Sequence, residues 1–367
     1  MRESASARAL VLERPRRLAL HEIPLPVVGD DDALVRVEAC GLCGTDHEQY
    51  TGAVSGGFAF IPGHETVGIV ESIGPKAAQR WQVTQGDRIA VEPVQSCRNC
   101  NDCLAGEYRR CRRHGLADMY GFIDVDRAPG LWGGYAQYQY LAPDSMVLRV
   151  PDGLDPILST VFNPLGAGIR WGATLPGTKV GDVVAVLGPG IRGLCVAAAA
   201  KEAVAEFVMV TGLGQRDTER LAICSAFGAD LAVDVAAEDP IAALRDATGR
   251  LADVVIDVTA NAPAAFAQAI GLVRTAGTLV VAGIRGWGSG APGFIPDMVV
   301  IKELRILGAL GVDTTAYRAA LDLLVSGRYP FADLPRRCVG LDATEELLAS
   351  MAGEGDEAPP VHGVVVP

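Results

Sequence analysis

Long apolar runs are missing from this sequence. No stretch approaches the roughly 18 residues that a membrane helix needs, and the most apolar segment, Val183 to Val210, is broken by Gly188, Pro189, Gly190, Arg192, Gly193, Lys201, Glu202 and Glu206. A membrane span is therefore not expected. The opening residues MRESASARALVLERP hold no apolar core of the kind a secretory leader carries, so the cytoplasm is the expected location. Positive charge is in deficit as well: 32 Lys and Arg against 44 Asp and Glu leave a net charge of −12. A surface for nucleic acid or anionic lipid would have to be built against that field, and neither partner is expected. Nine cysteines cannot all pair, and without a leader they argue for metal ligation and buried thiols rather than a disulfide framework. Internal repeats and low-complexity tracts are lacking too, apart from the acidic GEGDEAPP near the end, which reads as mobile.

What is present has the balance of a globular enzyme, with 49% hydrophobic and 21% charged residues. At 367 residues two domains are expected, because single cores stop growing near ~250 to 300 residues. From Leu10 to Val91 short β-like runs alternate with turns: Ala9 to Leu12, Leu18 to His21, Ala33 to Ala39, Val67 to Ile73 and Arg88 to Val91. In LVRVEA the charges Arg36 and Glu38 sit between apolar neighbours, the pattern of a half-exposed antiparallel strand. After about Pro151 the grammar changes to strands such as DVVAVL, FVMVTG, DVVIDVT and TLVVAGI separated by helical segments, which predicts a doubly wound parallel sheet. The fold class is thus α/β, a Rossmann domain joined to a β-rich domain. Residues 1–154 form the first domain with a cysteine lobe at about 93–115, residues 155–297 the dinucleotide-binding domain, and residues 298–367 a return segment completing the first.

CRNCNDCLAGEYRRC places thiols at Cys97, Cys100, Cys103 and Cys111. Two residues between cysteines let neighbouring thiolates converge on one ion, and four thiolates leave no open position, so the role is structural. Zinc suits this set; an iron–sulfur cluster or unligated thiols are the other readings. Cys40, Cys195, Cys224 and Cys338 lie on apolar stretches and read as buried thiols.

CGLCGTDHEQY supplies Cys43, Thr45, Asp46 and His47, and PGHETVG supplies His64 and Glu65. A thiolate and an imidazole with a position left open is a catalytic zinc arrangement, although a lone GHE is more often a core histidine. VAVLGPGIRG matches GxGxxG at Gly188, Gly190 and Gly193, after a strand and opening a helix, where backbone and helix terminus can cradle a pyrophosphate. About twenty residues on, an acid reading the ribose hydroxyls is expected, and FVMVTGLGQRDTERL offers Thr211 and Gly212 there. Arg216 points toward a 2′-phosphate and NADP; Asp217 folding back would restore NAD.

The chain resembles the zinc-containing medium-chain dehydrogenase/reductase superfamily, which includes alcohol, sorbitol, threonine and glucose dehydrogenases. CGLCGTD, PGHETVG, GDRIAVEP, the cysteine lobe, GGYAQY and the GPGIRG turn follow in that family's order over nearly the whole chain. The resemblance implies a β-rich GroES-like catalytic domain, one catalytic and one structural zinc, and NAD or NADP. It makes Cys43 and His64 zinc ligands, Asp46 the carboxylate that orients His64, Thr45 the hydroxyl that takes the substrate proton, and His47 the solvent end of that relay; a surface histidine is the other reading of His47. It makes Glu65 a third ligand or a neighbour of the metal. Where polyol and glucose dehydrogenase-like relatives place a glutamate, this chain has Asn163, so a site of Cys43, His64, Glu65 and water is expected. The cofactor site is carried on to Ile191, Arg192, Thr259 and Gly283. The implied reaction exchanges a hydride between NAD(P) and a small alcohol or carbonyl compound, in a homodimer or homotetramer. Alternatives are a dismutase or lyase with tightly held cofactor, or a binding protein that has lost its chemistry. Tyr120, Phe122 and Trp132 would favour an apolar or aromatic alcohol if they drape over the cleft, and are as readily simple packing.

Overall fold

The computed structural model describes residues 6–54, 56–260, 262–284, 290–354 and 359–367. The acidic stretch after Glu354 falls mostly outside them. Two compact units divide the chain: residues 1–163, 313–327 and 331–367 form one, and residues 164–312 with 328–330 form the other. No helix among the described residues is long and apolar enough to cross a membrane.

The first unit is built on a seven-stranded sheet. Its path runs Arg336–Val339, His362–Val365, Ala33–Leu42, Glu65–Ile73, Arg88–Val91 and Val147–Arg149, with Tyr138–Leu141 also pairing Ala33–Leu42. The hairpin Ser6–Arg14 and Arg17–Pro24 forms a separate two-stranded sheet. Ala33–Leu42 is more buried than its alternation predicts. Only Arg36 is exposed, and Glu38 is held by Arg88 at 2.6 Å, because this strand pairs on both sides at the centre of the sheet. Leu12, Leu34, Leu42, Phe60, Tyr135 and Leu347 make the core on one face, and Val35, Val70, Ile89, Tyr120, Trp132 and Leu141 a second one.

In the second unit six parallel strands stand in the order Leu231–Asp234, Phe207–Gly212, Val183–Leu187, Ala252–Asp257, Val273–Val281 and Arg305–Gly308. Val183–Leu187 and Ala252–Asp257 are buried throughout, as expected of parallel strands covered on both faces. Arg305–Gly308 lies in this sheet, parallel to Val273–Val281, so residues from 298 to 312 belong to the second unit rather than to the return segment. Hydropathy alone does not distinguish these destinations; the pairing partner does. Cys338 is exposed, contrary to its reading as a buried thiol, because Arg336–Val339 is an edge strand.

Candidate functional site

Antiparallel register explains how residues 21 positions apart meet. Gly41 pairs with Glu65 across Ala33–Leu42 and Glu65–Ile73, so Cys43, just past one strand end, stands beside His64, just before the other begins. Cys43 Sγ is 3.3 Å from His64 Nε2. The ligand atoms of Cys43, His64 and Glu65 all lie within 4.8 Å of one another and all three residues are buried. Gly41 makes this possible: a Cβ there would stand 2.3 Å from Glu65 Oε2. A thiolate, an imidazole and a carboxylate gathered out of water are a zinc donor set, so these residues fit the metal.

Cys43 also caps helix Gly44–Thr51. Its backbone N–H donates to Asp46 Oδ2 at 2.9 Å, which turns the fully buried Asp46 carboxylate inward. Asp46 Oδ1 then lies 3.8 Å from His64 Nδ1. That distance is an ion-pair separation rather than a hydrogen bond, but it leaves Nε2 to face Cys43. Thr45 is half-buried on the first turn of the same helix. His47 is engaged outward: its Nε2 is 3.0 Å from Glu354 Oε1, and Glu354 also binds Arg16 at 2.8 Å. Arg16 first, then His47, hold the Glu354 carboxyl down at about 2. Asn163 is buried and donates its amide to the Tyr317 hydroxyl at 3.3 Å, on helix Thr314–Ser326.

The four cysteines of the lobe likewise have sulfurs within 4.8 Å of one another, compatible with the separation of about 3.8 Å that Zn–S bonds near 2.3 Å impose on a tetrahedron. Burial opposes ionisation of Cys111, yet the backbone N–H groups of His114, Cys97 and Arg113 bring its thiol down to about 6. Backbone N–H groups of Arg112 and Cys103 lower Cys100, whereas burial pushes Cys103 up to about 12. The chain between Cys103 and Cys111 is pinned by a buried network that the sequence did not suggest. The Tyr108 hydroxyl donates to Glu92, Thr314 Oγ1 donates to Glu92 Oε1 at 2.6 Å, and the Tyr108 and Thr314 oxygens are 3.1 Å apart. Burial raises the Glu92 carboxyl to about 7.

In the second unit a cavity of about 370 Å³ gathers Gly188, Gly190, Arg192, Gly193, Thr211, Gly212, Arg216, Asp217 and Thr259. Gly193 is required, since a Cβ would meet Gly188 O at 1.8 Å, and Gly188 has φ +105. Two expected cofactor residues do not line it. Ile191 is buried at the start of helix Ile191–Glu202, and Gly283 packs so closely on Thr259 that a Cβ would lie 1.8 Å from its carbonyl oxygen. The Asp217 carboxylate is engaged within its own segment, accepting from Leu213 N at 2.9 Å and pairing with Arg220 at 3.3 Å. Arg220 also lines the cavity and was not anticipated; its place three residues after Asp217, one helical turn on, is the signal that could have found it.

Comparisons with known proteins show the family. Residues 29–152 match the alcohol dehydrogenase GroES-like domain and residues 193–326 match the zinc-binding dehydrogenase family. The chain is 74% identical over 367 residues, all of both chains, to a Mycobacterium tuberculosis (strain ATCC 25618 / H37Rv) protein described as a probable alcohol dehydrogenase. It is 30% identical over 340 residues to the erythritol/L-threitol dehydrogenase of Mycolicibacterium smegmatis, with 89% of each chain covered. Among solved structures it is similar to a Sinorhizobium meliloti 1021 protein described as a zinc-binding dehydrogenase and bound to NADP, with a TM-score of 0.84, 29% identity, and 99% of this chain and 100% of that one covered.

Proposed function

The chain belongs to the zinc-containing medium-chain dehydrogenase/reductase superfamily, and we propose that in this alcohol dehydrogenase Cys43, His64 and Glu65 hold the reactive zinc and Cys97, Cys100, Cys103 and Cys111 the structural one. Its cofactors are zinc and NAD(P), and it acts on CH–OH groups. The observation that carries the reading is the approach of Cys43 Sγ to His64 Nε2 beside the buried Glu65 carboxylate. Bound here, zinc would supply Lewis acidity toward an alcohol oxygen and a nicotinamide would supply the hydride acceptor. The protein does the rest. Asp46 faces His64 Nδ1 and keeps Nε2 available. Thr45 receives the hydroxyl proton, and His47 passes it to solvent, where Glu354 steadies the imidazole. Asn163, a neutral amide given over to Tyr317, stays out of the ligand set.

For the cofactor we favour NADP. Asp217 is neutralised by Arg220 and turned onto a backbone N–H, while Arg216 stands exposed at the same cavity. A charged hydrogen bond to a 2′-phosphate is worth about 1.5–3 kcal/mol, or about 10- to 100-fold in affinity. The zinc-loaded enzyme, assayed at 340 nm with a panel of alcohols and equal low concentrations of each cofactor, should reduce NADP with at least about tenfold higher kcat/KM than NAD. Arg216→Ala should erase most of that ratio by weakening NADP alone. No nicotinamide reduction with any alcohol would overturn the dehydrogenase reading; a strong NAD preference would overturn only the role of Arg216.

A homodimer is the assembly best supported. Arg305–Gly308 ends the parallel sheet with one side unpaired among the described residues, and Ile306, Leu310, Val300 and Ile301 on and around it are exposed. An apolar edge strand of this kind pairs with another edge or aggregates. Sedimentation should give a dimer for the native chain and a monomer for Ile306→Lys. A native monomer removes the proposal.

A further inference from the structure

We infer that the substrate is an aryl carbinol of the benzyl alcohol class rather than a polyol, recognised by Phe122 beside the zinc-ligand histidine. The inference rests on the reading of Cys43 and His64 as the reactive zinc site. Three aromatic side chains in GLADMYGFIDVDRAPGLW have separate fates. Tyr120 is wholly buried, its hydroxyl bonded to Ser145 Oγ at 2.5 Å and to the Ala142 N–H at 2.9 Å. Trp132 is buried and donates Nε1–H to Arg127 O at 2.7 Å. Both are core. Phe122 is half-buried, and its ring centroid stands 5.9 Å from that of His64.

Phe122 does not stand alone. It stacks on Phe60 at 6.3 Å with only 3° between the rings, and the exposed Phe58 meets Phe60 edge-on at 6.4 Å. Phe60 between them is buried in the core, so Phe122 is the ring of this series that stands half-buried beside the His64 imidazole. The backbone fixes its inner end. Gly121, at φ +79, lies so close to the ligand loop that a Cβ would be 2.9 Å from Gly63 O and 3.3 Å from His64 Cβ. Its N–H donates to Trp132 O at 2.8 Å, and its carbonyl accepts from Gln49 Nε2 at 2.8 Å. Phe122 is therefore held beside His64 by a clamped segment and keeps part of its ring open.

A polyol needs hydrogen-bond partners for every hydroxyl that leaves water, and the face of a phenyl ring supplies none. An aryl carbinol places its ring against rings. The step is ArCH2OH + NAD(P)+ → ArCHO + NAD(P)H + H+: the carbinol C–H pair moves as hydride to the nicotinamide, and the hydroxyl proton leaves to solvent.

The test compares benzyl alcohol, sorbitol and threitol with the zinc-loaded enzyme, native and Phe122→Leu, the latter keeping apolar volume without a ring face. Benzyl alcohol should exceed both polyols at least about 100-fold in kcat/KM, and Phe122→Leu should raise KM for benzyl alcohol about tenfold with a smaller change in kcat and unchanged zinc content. A polyol used as well as benzyl alcohol, or a Phe122→Leu enzyme with native KM, overturns the inference and leaves the dehydrogenase reading standing. Calorimetric titration of the cofactor-bound enzyme with benzamide, an unreactive aldehyde mimic, decides the matter even if no alcohol turns over. Binding weakened in Phe122→Leu keeps the aryl site, and no binding ends it.

Discussion

Cys43→Ser should lose at least about three orders of magnitude in kcat, with zinc falling from two equivalents per chain to one and the fold intact. Zinc as a Lewis acid contributes several kcal/mol to a developing charge, and each 1.36 kcal/mol is about tenfold in rate. Serine keeps the shape of Cys43 but offers a hydroxyl that is neutral at ordinary pH in place of a soft thiolate. The remaining ligands, His64 and Glu65, then carry too little charge and too few donors to hold the ion. The cap of helix Gly44–Thr51 survives, because the Asp46 carboxylate is bonded to the Cys43 backbone N–H, which serine keeps. Circular dichroism and NADP affinity should therefore stay native, and metal analysis should show which ion left. A kcat within tenfold of native, or two zinc equivalents retained, would sink the assignment of Cys43.

Why some of this was legible in the sequence and some was not follows from distance along the chain. The tetracysteine lobe is a local motif, and spacing alone brought Cys97, Cys100, Cys103 and Cys111 together. The glycine turn is also local: the φ of Gly188 and the contact between Gly193 and Gly188 O involve residues five apart. The reactive cluster is different, because Cys43 meets His64 only through strand register, and the motifs named the residues without giving the pairing. Contacts between distant segments left no trace. Thr314 closes the Glu92–Tyr108 network from the return helix, Tyr317 takes the amide of Asn163, and Glu354 takes His47. The destination of Arg305–Gly308 was misread for the same reason: a short apolar strand suits either sheet, and the choice is made by its neighbour. Tyr120, Phe122 and Trp132 looked alike as sequence, and only burial separated two core residues from one that is half-buried.

Cys100→Ser should remove the other zinc and open the lobe to protease, while the Cys43 site keeps its metal. The stretch from Asn101 to Leu104 has little to hold it otherwise. Helix Asn101–Leu104 buries no residue, and Leu104 is 71% exposed. Structural zinc binding to small peptides amounts to about 10–16 kcal/mol, most of it folding free energy, so loss of one ligand removes the main source of local order. Tyr108 is the counterweight, because its bond to buried Glu92 anchors the segment before Cys111 independently of the metal. Opening should accordingly be local. Arg110, Arg112 and Arg113 are already exposed side chains in one run, and trypsin needs only the backbone around them to loosen. Cleavage there should accelerate at least about 100-fold, which corresponds to about 2.7 kcal/mol of lost local stability when opening is fast relative to cutting. Adding Tyr108→Phe to Cys100→Ser should carry the loosening past the lobe and lower the melting temperature further than the two changes do separately, because metal and hydroxyl pin the same short segment. Native protease resistance in Cys100→Ser, with one zinc gone, would mean that the Glu92 network alone holds the lobe.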